Sequence, residues 1–144
     1  MSTNIRIENK LLRRQDLVYP ELSFQIIGVL FDVYNKLGNG FDEKIYQRAT
    51  AEGLKQCGIN FQEQVYAPLI YQGKNVGRNY FDFLIEDIII LEIKKGDRFA
   101  KVHIDQVLQY LNARGLKLGI LAYFAPRKLH YKKIVNIDSY IRKN

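Results

Sequence analysis

Three ionisable residues lie where a folded chain has little room for charge: Asp82, Glu92 and Lys94, within the stretch NYFDFLIEDIIILEIKK at residues 79–95. Asp82 falls in one apolar run, and the other two fall near the end of the next run. Both runs are rich in Ile, Leu and Phe, which is typical of strands that are covered on both faces. A charge buried in such a place is retained only if it is paired or holds a metal. These three residues are therefore the first candidates for chemistry.

The short polar break between the two runs predicts a β-hairpin, and the length of its loop decides which side chains meet. If the loop is the three residues Glu86–Ile88, Asp82 lies opposite Glu92. Lys94 then shares their face, because alternate residues of a strand point the same way. A two-residue loop would instead place Asp82 opposite Leu91 and separate the carboxylates. The chemical interpretation therefore predicts a loop with an odd number of residues, or a bulge that places the two carboxylates on the same face.

Two carboxylates and one ammonium on a shared face suit a hard divalent cation. Mg²⁺ usually binds one or two protein carboxylates and keeps several waters, and Mn²⁺ favours similar oxygen ligands. A lysine beside such a site can orient the attacking water or help to deprotonate it. The alternative is an ion-pair network that only holds the hairpin together. We favour the metal site, because buried ion pairs are poor stabilisers and perturbed charges cluster at functional sites.

This arrangement resembles the PD-(D/E)xK nuclease superfamily, whose core motif is an Asp followed by a hydrophobic strand that ends in (D/E)-x-K. Here the motif reads Asp82 and then Glu92-Ile93-Lys94, with Phe81 in place of the usual proline. The resemblance implies that Asp82 and Glu92 bind Mg²⁺ or Mn²⁺ and that Lys94 is catalytic.

Residues 40–46 spell G-x-x-E-x-x-Y, from Gly40 through Glu43 to Tyr46. This matches the signature of the GxxExxY protein family, whose small bacterial and archaeal members belong to the same superfamily. The resemblance makes Glu43 a candidate third carboxylate for the metal and Tyr46 a supporting residue. Taken locally, Glu43 is also explained as a first-turn charge that complements the helix dipole.

A third motif follows the E-x-K strand on a predicted helix. Gln106 and Tyr110 form Q-x-x-x-Y, which is similar to a motif seen after the same strand in RecB-like nucleases. The resemblance implies that Gln106 contacts a phosphate or a water at the site and that Tyr110 supports it. The alternative is a polar helix edge, and for His103, on the same stripe, that alternative is the one we favour.

Composition restricts the class of protein. The 144 residues are 47% hydrophobic and 12% aromatic, which predicts one globular domain. A formal net charge of +7 suits a polyanionic partner, most simply nucleic acid. Cys57 is the only cysteine, so an intramolecular disulfide and a cysteine zinc cluster are excluded. Neither a secretory signal nor an apolar run long enough to span a bilayer is found, so we expect a cytoplasmic protein that does not bind membranes.

Hydrophobic periodicity predicts an α/β fold in the order helix, helix, three strands, helix, two strands. The predicted elements are helices at Leu22–Leu37, Asp42–Gln56 and Phe99–Ala113, and strands at Ile59–Tyr71, through the hairpin of residues 76–95, and at Leu116–Phe124 and Leu129–Val135. The resemblance implies a restriction-endonuclease-like αβββαβ core, with a mixed sheet flanked by helices. We expect an N-terminal arm at residues 1–20, the nuclease-like domain at residues 21–136 and a C-terminal tail at residues 137–144.

The favoured function is a Mg²⁺- or Mn²⁺-dependent nuclease, with DNA preferred over RNA as the substrate. The catalytic set implied by the resemblance is Asp82, Glu92, Lys94, Glu43 and Gln106. The alternative is a non-catalytic module that binds nucleic acid or another partner on the same fold, because fold alone does not establish function. The resemblance also allows a homodimer, for which the sequence contains no separate signal such as a long heptad repeat.

Overall fold

The computed structural model describes residues 18–97 and 99–137. Within these residues, three helices and five strands follow one another in the predicted order. They are α1 (Pro20–Leu37), α2 (Glu43–Gln56), β1 (Phe61–Tyr71), β2 (Lys74–Ile85), β3 (Ile89–Lys95), α3 (Lys101–Arg114), β4 (Leu118–Phe124) and β5 (Leu129–Val135). Without α1 and β5 this order is α-β-β-β-α-β, so the predicted core is confirmed.

The five strands form one mixed sheet in the order β1-β2-β3-β4-β5. Strands β3 and β4 are parallel, and the other neighbours are antiparallel. The parallel pair needs a long crossover, which α3 supplies. Strand β5 forms one edge of the sheet, where Lys132 and Lys133 stand opposite Leu121 and Ile120 of β4. Lysines at an edge strand oppose unwanted pairing with another chain.

The helices cover both faces of the sheet. Helices α1 and α2 pack on one face, hereafter the α2 face, where Leu30 and Leu54 meet the inward side chains of β2 to β5. Helix α3 packs on the opposite face, hereafter the α3 face, where Leu111 meets Leu121. Because both faces are buried, β3 and β4 read as continuous apolar runs, and a charged residue within them is surrounded by hydrocarbon.

The ends of α1 follow local rules. Pro20 occupies the first turn, where its missing N–H is not needed. The helix ends at Gly38, whose positive φ of 74° is a backbone conformation that glycine adopts readily. The helix therefore begins two residues before the predicted start. Val18, in the predicted arm, is buried in the core. The rest of that arm up to residue 17, and the tail from residue 138, lie outside the described residues.

Strands β1 and β2 exchange faces part of the way along their length. Phe83 belongs to the core of the α2 face, whereas Phe81, which simple alternation would place beside it, belongs to the core of the α3 face. Gln64, opposite Asp82 in the β1–β2 register, has a left-handed backbone with φ of 51°. This crossing places Asp82 and Gln64 together on the α2 side. A search of the described helices finds none that is long and apolar enough to cross a membrane.

Candidate active site

The site forms where β2 and β3 separate. Their ladder runs from Ile85↔Ile89 to Phe83↔Leu91, so the loop between them has the three residues that the chemical interpretation requires. The next pair in this register is Asp82 and Glu92. At this pair, hydrogen bonds to side chains replace those between the two backbones. The amide of Asp82 donates to Glu92 Oε1 at 2.9 Å. The amide of Ile93 donates to Asp82 Oδ2 at 2.7 Å. Each carboxylate is thereby locked by backbone of the opposite strand.

Both carboxylates are buried. Asp82 is 8% exposed and Glu92 is 3% exposed. Among the described residues, the ion pair of this couple is made by Lys94, whose Nζ lies 3.9 Å from Glu92 Oε2. Burial raises the pKa of Asp82. Burial, followed by the neighbouring charge of Asp82, raises the pKa of Glu92 to about 8. Two buried carboxyl groups beside one ammonium favour binding either a proton or a cation.

Gln47 is a site residue that the sequence reasoning missed. Its Nε2 donates to Asp82 Oδ1 at 3.1 Å, so both oxygens of Asp82 are oriented by hydrogen bonds. Gln47 follows Glu43 by four residues, and residues at that spacing share one face of a helix. That spacing is the signal that could have identified Gln47. Helix α2 therefore presents Glu43 and Gln47 together toward the point where β2 and β3 separate.

Glu43 lies near the two carboxylates, but its own carboxylate is hydrogen-bonded to the backbone. It is the first residue of α2, and its Oε1 accepts a hydrogen bond from the amide of Lys95 at 2.9 Å. Its charge is the smallest of the causes that act on the pKa of Asp82. Within residues 18–97 and 99–137, no group of three or more His, Cys, Asp or Glu side chains is arranged to hold a metal ion. The structure thus brings Asp82, Glu92 and Lys94 together, and it leaves Glu43 bound to the backbone at the end of β3.

Tyr46 supports the site from inside the core. It is fully buried and stacks on Phe124 with the ring centroids 4.2 Å apart. Its hydroxyl donates to the carbonyl of Gly38 at 2.7 Å and accepts from the amide of Phe41 at 3.4 Å. The tyrosine of G-x-x-E-x-x-Y therefore ties down the loop that leads into α2. It fixes where Glu43 starts the helix and does not itself line the groove.

Helix α3 approaches the pair from the α3 face. Tyr110 is buried and packs on Phe81, with ring centroids 5.5 Å apart. Burial, followed by the charges of Glu92 and Asp82, raises the pKa of Tyr110 to about 12. Its hydroxyl therefore stays protonated at neutral pH. Gln106 lies one turn earlier on the same face of α3 and is half-buried.

His103 also lies on this side of the site. Its Nδ1 is hydrogen-bonded to the hydroxyl of Tyr123, which stands opposite Lys94 in the β3–β4 register. The pKa of His103 is lowered by burial and then by the charge of Lys94. The sequence predicted a polar helix edge for His103, and the structure adds a link through Tyr123 to the strand of Lys94. Sequence spacing within α3 could not reveal that link, because it depends on the pairing of β3 with β4.

An open groove of about 580 Å³ leads from solvent to Asp82 on the α2 side. Its walls come from α2, β1 and β2, and the lining residues are Glu43, Lys44, Gln47, Arg48, Glu63, Gln64 and Asp82. A second opening of about 220 Å³ lies beside the β2–β3 loop, away from the carboxylate pair. The groove therefore connects Asp82, one carboxylate of the pair, with solvent.

Comparison with known proteins agrees with this fold. The profile of the PD-(D/E)XK nuclease superfamily matches residues 20–134. No curated protein matches the chain. The solved structure of an alkaline exonuclease (LHK-Exo) from Laribacter hongkongensis is similar in fold, with a TM-score of 0.50 and 15% identity. A structure described as SSO0001 aligns with a TM-score of 0.49 and 21% identity. These alignments cover 69% and 70% of this chain and 59% of each solved chain.

Proposed function

The chain belongs to the PD-(D/E)XK nuclease superfamily, and from that premise we propose that it is a metal-dependent nuclease that hydrolyses phosphodiester bonds in DNA. The observation that carries the proposal is the buried pair of Asp82 and Glu92 beside Lys94, with Asp82 lining an open groove. The proposal includes membership of the GxxExxY family, because the loop of Gly40 and the contacts of Tyr46 give that motif a role in placing Glu43. A cytoplasmic location and a homodimer stay predictions.

The donor set fits a hard divalent cation. Asp82 Oδ2 and Glu92 Oε1 are held by backbone amides. Asp82 Oδ1 accepts from Gln47, and Glu92 Oε2 lies 3.9 Å from Lys94 Nζ. Asp82 and Glu92 would hold Mg²⁺ or Mn²⁺, and Glu43 would join them once its carboxylate leaves the amide of Lys95. The cation would polarise a phosphoryl oxygen and lower the pKa of water.

The chain's own residues would divide the remaining work. Lys94 has a side chain that is only 21% exposed. Its ammonium is therefore poorly screened and would stabilise the negative charge that develops on the phosphate. Gln106 would donate a hydrogen bond to the scissile phosphate or to the nucleophile from α3. Gln47 is a positioning residue, since it acts by fixing the carboxylate plane of Asp82.

The direct test is cleavage of labelled DNA in Mg²⁺ or Mn²⁺. We expect Asp82→Ala and Lys94→Ala to abolish cleavage while the circular dichroism spectrum stays that of the wild type. Lys95→Ala is the matched control, because it removes the neighbouring exposed ammonium and keeps the amide that binds Glu43. Full residual activity in purified Asp82→Ala or Lys94→Ala would refute the mechanism.

A second measurement tests the metal alone. Mg²⁺ or Mn²⁺ should raise the melting temperature of the wild type and leave that of Asp82→Ala unchanged, because a ligand that binds only the folded state stabilises it by mass action. An equal shift in both proteins would place the ion elsewhere.

One observation favours the alternative of a non-catalytic nucleic-acid-binding module. Glu43 is bound to the backbone, and the described residues contain no cluster of three carboxylates ready for a metal. That function predicts DNA binding that is insensitive to divalent metal and to Asp82→Asn, together with no cleavage by the wild type.

A further inference from the structure

Two tyrosines stand exposed beside the active-site groove. Tyr66 of β1 and Tyr80 of β2 lie directly opposite each other. Their ring centroids are 5.7 Å apart with the planes inclined at 58°. Tyr66 is 37% exposed and Tyr80 is 49% exposed. The side-chain amide of Asn75 donates to the hydroxyl of Tyr66, which holds that ring in place. The pair is thus a fixed aromatic surface that solvent can reach.

This tyrosine pair continues the groove. Val65 and Phe81, the neighbours of Tyr66 and Tyr80, point into the core of the α3 face, so both tyrosines point to the α2 side, where the groove opens. Tyr80 precedes Asp82 by two residues, which is roughly 7 Å along a strand. Tyr66 follows Gln64, the groove residue opposite Asp82, by the same spacing. An extended ligand that lies in the groove at Asp82 would therefore also contact the tyrosine pair.

The surroundings of the pair suit a polyanion. Residues 65–80 contain Lys74 and Arg78 and no Asp or Glu. Arg78 is exposed and precedes Tyr80 by two residues, so both lie on the same face of β2. Across the groove, α2 contributes Lys44 and Arg48. Aromatic rings flanked by basic side chains form the usual surface for single-stranded nucleic acid.

We propose that Tyr66 and Tyr80 stack on unpaired nucleotides of the substrate, so that the protein engages a single-stranded segment next to the scissile phosphate. Base pairs inside a duplex are stacked on both sides and expose no flat face to a side chain, whereas each unpaired base offers one. An intact duplex could use Arg78 but not the two rings. The inference rests on the proposed nuclease function for the identity of the ligand as nucleic acid.

The competing explanation is structural. A cross-strand aromatic pair stabilises a hairpin by itself, and an exposed aromatic face can also bind a second copy of the chain. Both explanations predict that loss of the rings has no selective effect on single-stranded ligands. Selectivity between single-stranded and duplex DNA is therefore the property that separates stacking from the alternatives.

The experiment measures binding of a fluorescent single-stranded oligonucleotide and of its blunt duplex by anisotropy in EDTA, where no cleavage occurs. We expect Tyr66→Ala and Tyr80→Ala each to weaken single-strand binding about tenfold or more, the loss of one stacked base, and to leave duplex binding unchanged. Tyr80→Phe should bind like the wild type, because it keeps the ring. Tyr71→Ala is the matched control, since Tyr71 is exposed at the hairpin tip, outside the pair.

Equal losses on both ligands, or no loss on either, would overturn the proposal. A change of sedimentation coefficient in Tyr80→Ala without a change in DNA affinity would also overturn it and would assign the pair to a second copy of the chain. The nuclease proposal is tested by a different result: if it is wrong, the wild type does not cleave DNA in Mg²⁺ or Mn²⁺.

Discussion

Glu92→Gln should stabilise the metal-free protein at alkaline pH and abolish the proposed nuclease activity. Glutamine keeps the oxygen that accepts from the amide of Asp82, and it removes a charge that is buried beside another carboxylate. The pKa of Glu92 is raised from 4.5 to about 8. A change of one in pKa corresponds to about 1.4 kcal/mol. The ionised carboxylate therefore lowers the free energy of unfolding by on the order of a few kcal/mol.

The sign of the pH dependence follows from proton counting. Between pH 4.5 and about 8 the folded state holds a proton on Glu92 that the unfolded state has lost. The free energy of unfolding of the wild type should therefore fall as pH rises through this window, by up to about 1.4 kcal/mol per pH unit. In Glu92→Gln that contribution is absent. The advantage of the variant should be small at pH 5 and largest above pH 8.

Urea denaturation of both proteins in EDTA at pH 5.5 and pH 8.5 measures this difference. Groups that do not contact Glu92 titrate in both proteins, so their contributions largely cancel in the comparison. Added Mg²⁺ should close the gap at pH 8.5 by stabilising only the wild type. A variant that is less stable than the wild type at pH 8.5 would refute the reasoning. That result would mean that Glu92 is held by a favourable ion pair with Lys94 that serves structure alone.

Two further predictions concern the scaffold. Tyr46→Phe removes the hydroxyl that binds the carbonyl of Gly38 and should lower the free energy of unfolding by about 1–2 kcal/mol, measured by urea denaturation; an unchanged midpoint would show that the loop is held by other contacts. Gly53→Ala should destabilise the protein by about 1–3 kcal/mol, because the new Cβ would lie 2.6 Å from Val29 Cγ1. Gly28→Ala is its control on α1, with nothing within 4 Å of the new Cβ, and should be neutral or stabilising; equal effects of the two would contradict the close packing of α1 on α2.

The order of the elements was predictable because each carries its own periodicity. The apolar runs of β3 and β4 are continuous since both faces are buried, and Gly115 ends α3 with a left-handed cap. The sequence reduced the arrangement of Asp82 and Glu92 to two alternatives. A loop with an odd number of residues puts them on one face of the hairpin, and a loop with an even number separates them. The three-residue loop decided between them.

Other features were beyond the reach of local patterns. Gln47 contacts Asp82 only because α2 crosses the sheet at that point. The motif of Glu43 and Tyr46 implied a shared role, yet the structure separates them: one side chain binds the backbone of β3, and the other is buried against Phe124. Spacing along a helix shows which side chains point the same way. Which groups those side chains contact depends on how the helix packs against the rest of the protein.

The sequence by itself determined the types of chemistry that are available: two carboxylates and an ammonium in apolar strands, a basic surface and an αβββαβ order. Only the tertiary structure decided how the charges are compensated. The separation of β2 from β3 frees backbone amides for the carboxylates, and burial on both faces raises their pKa values. The exchange of faces at Gln64 turns Asp82 toward the groove and aligns it with the tyrosine pair. These properties depend on distances between segments far apart in the chain, and local residue preferences carry no information about such distances.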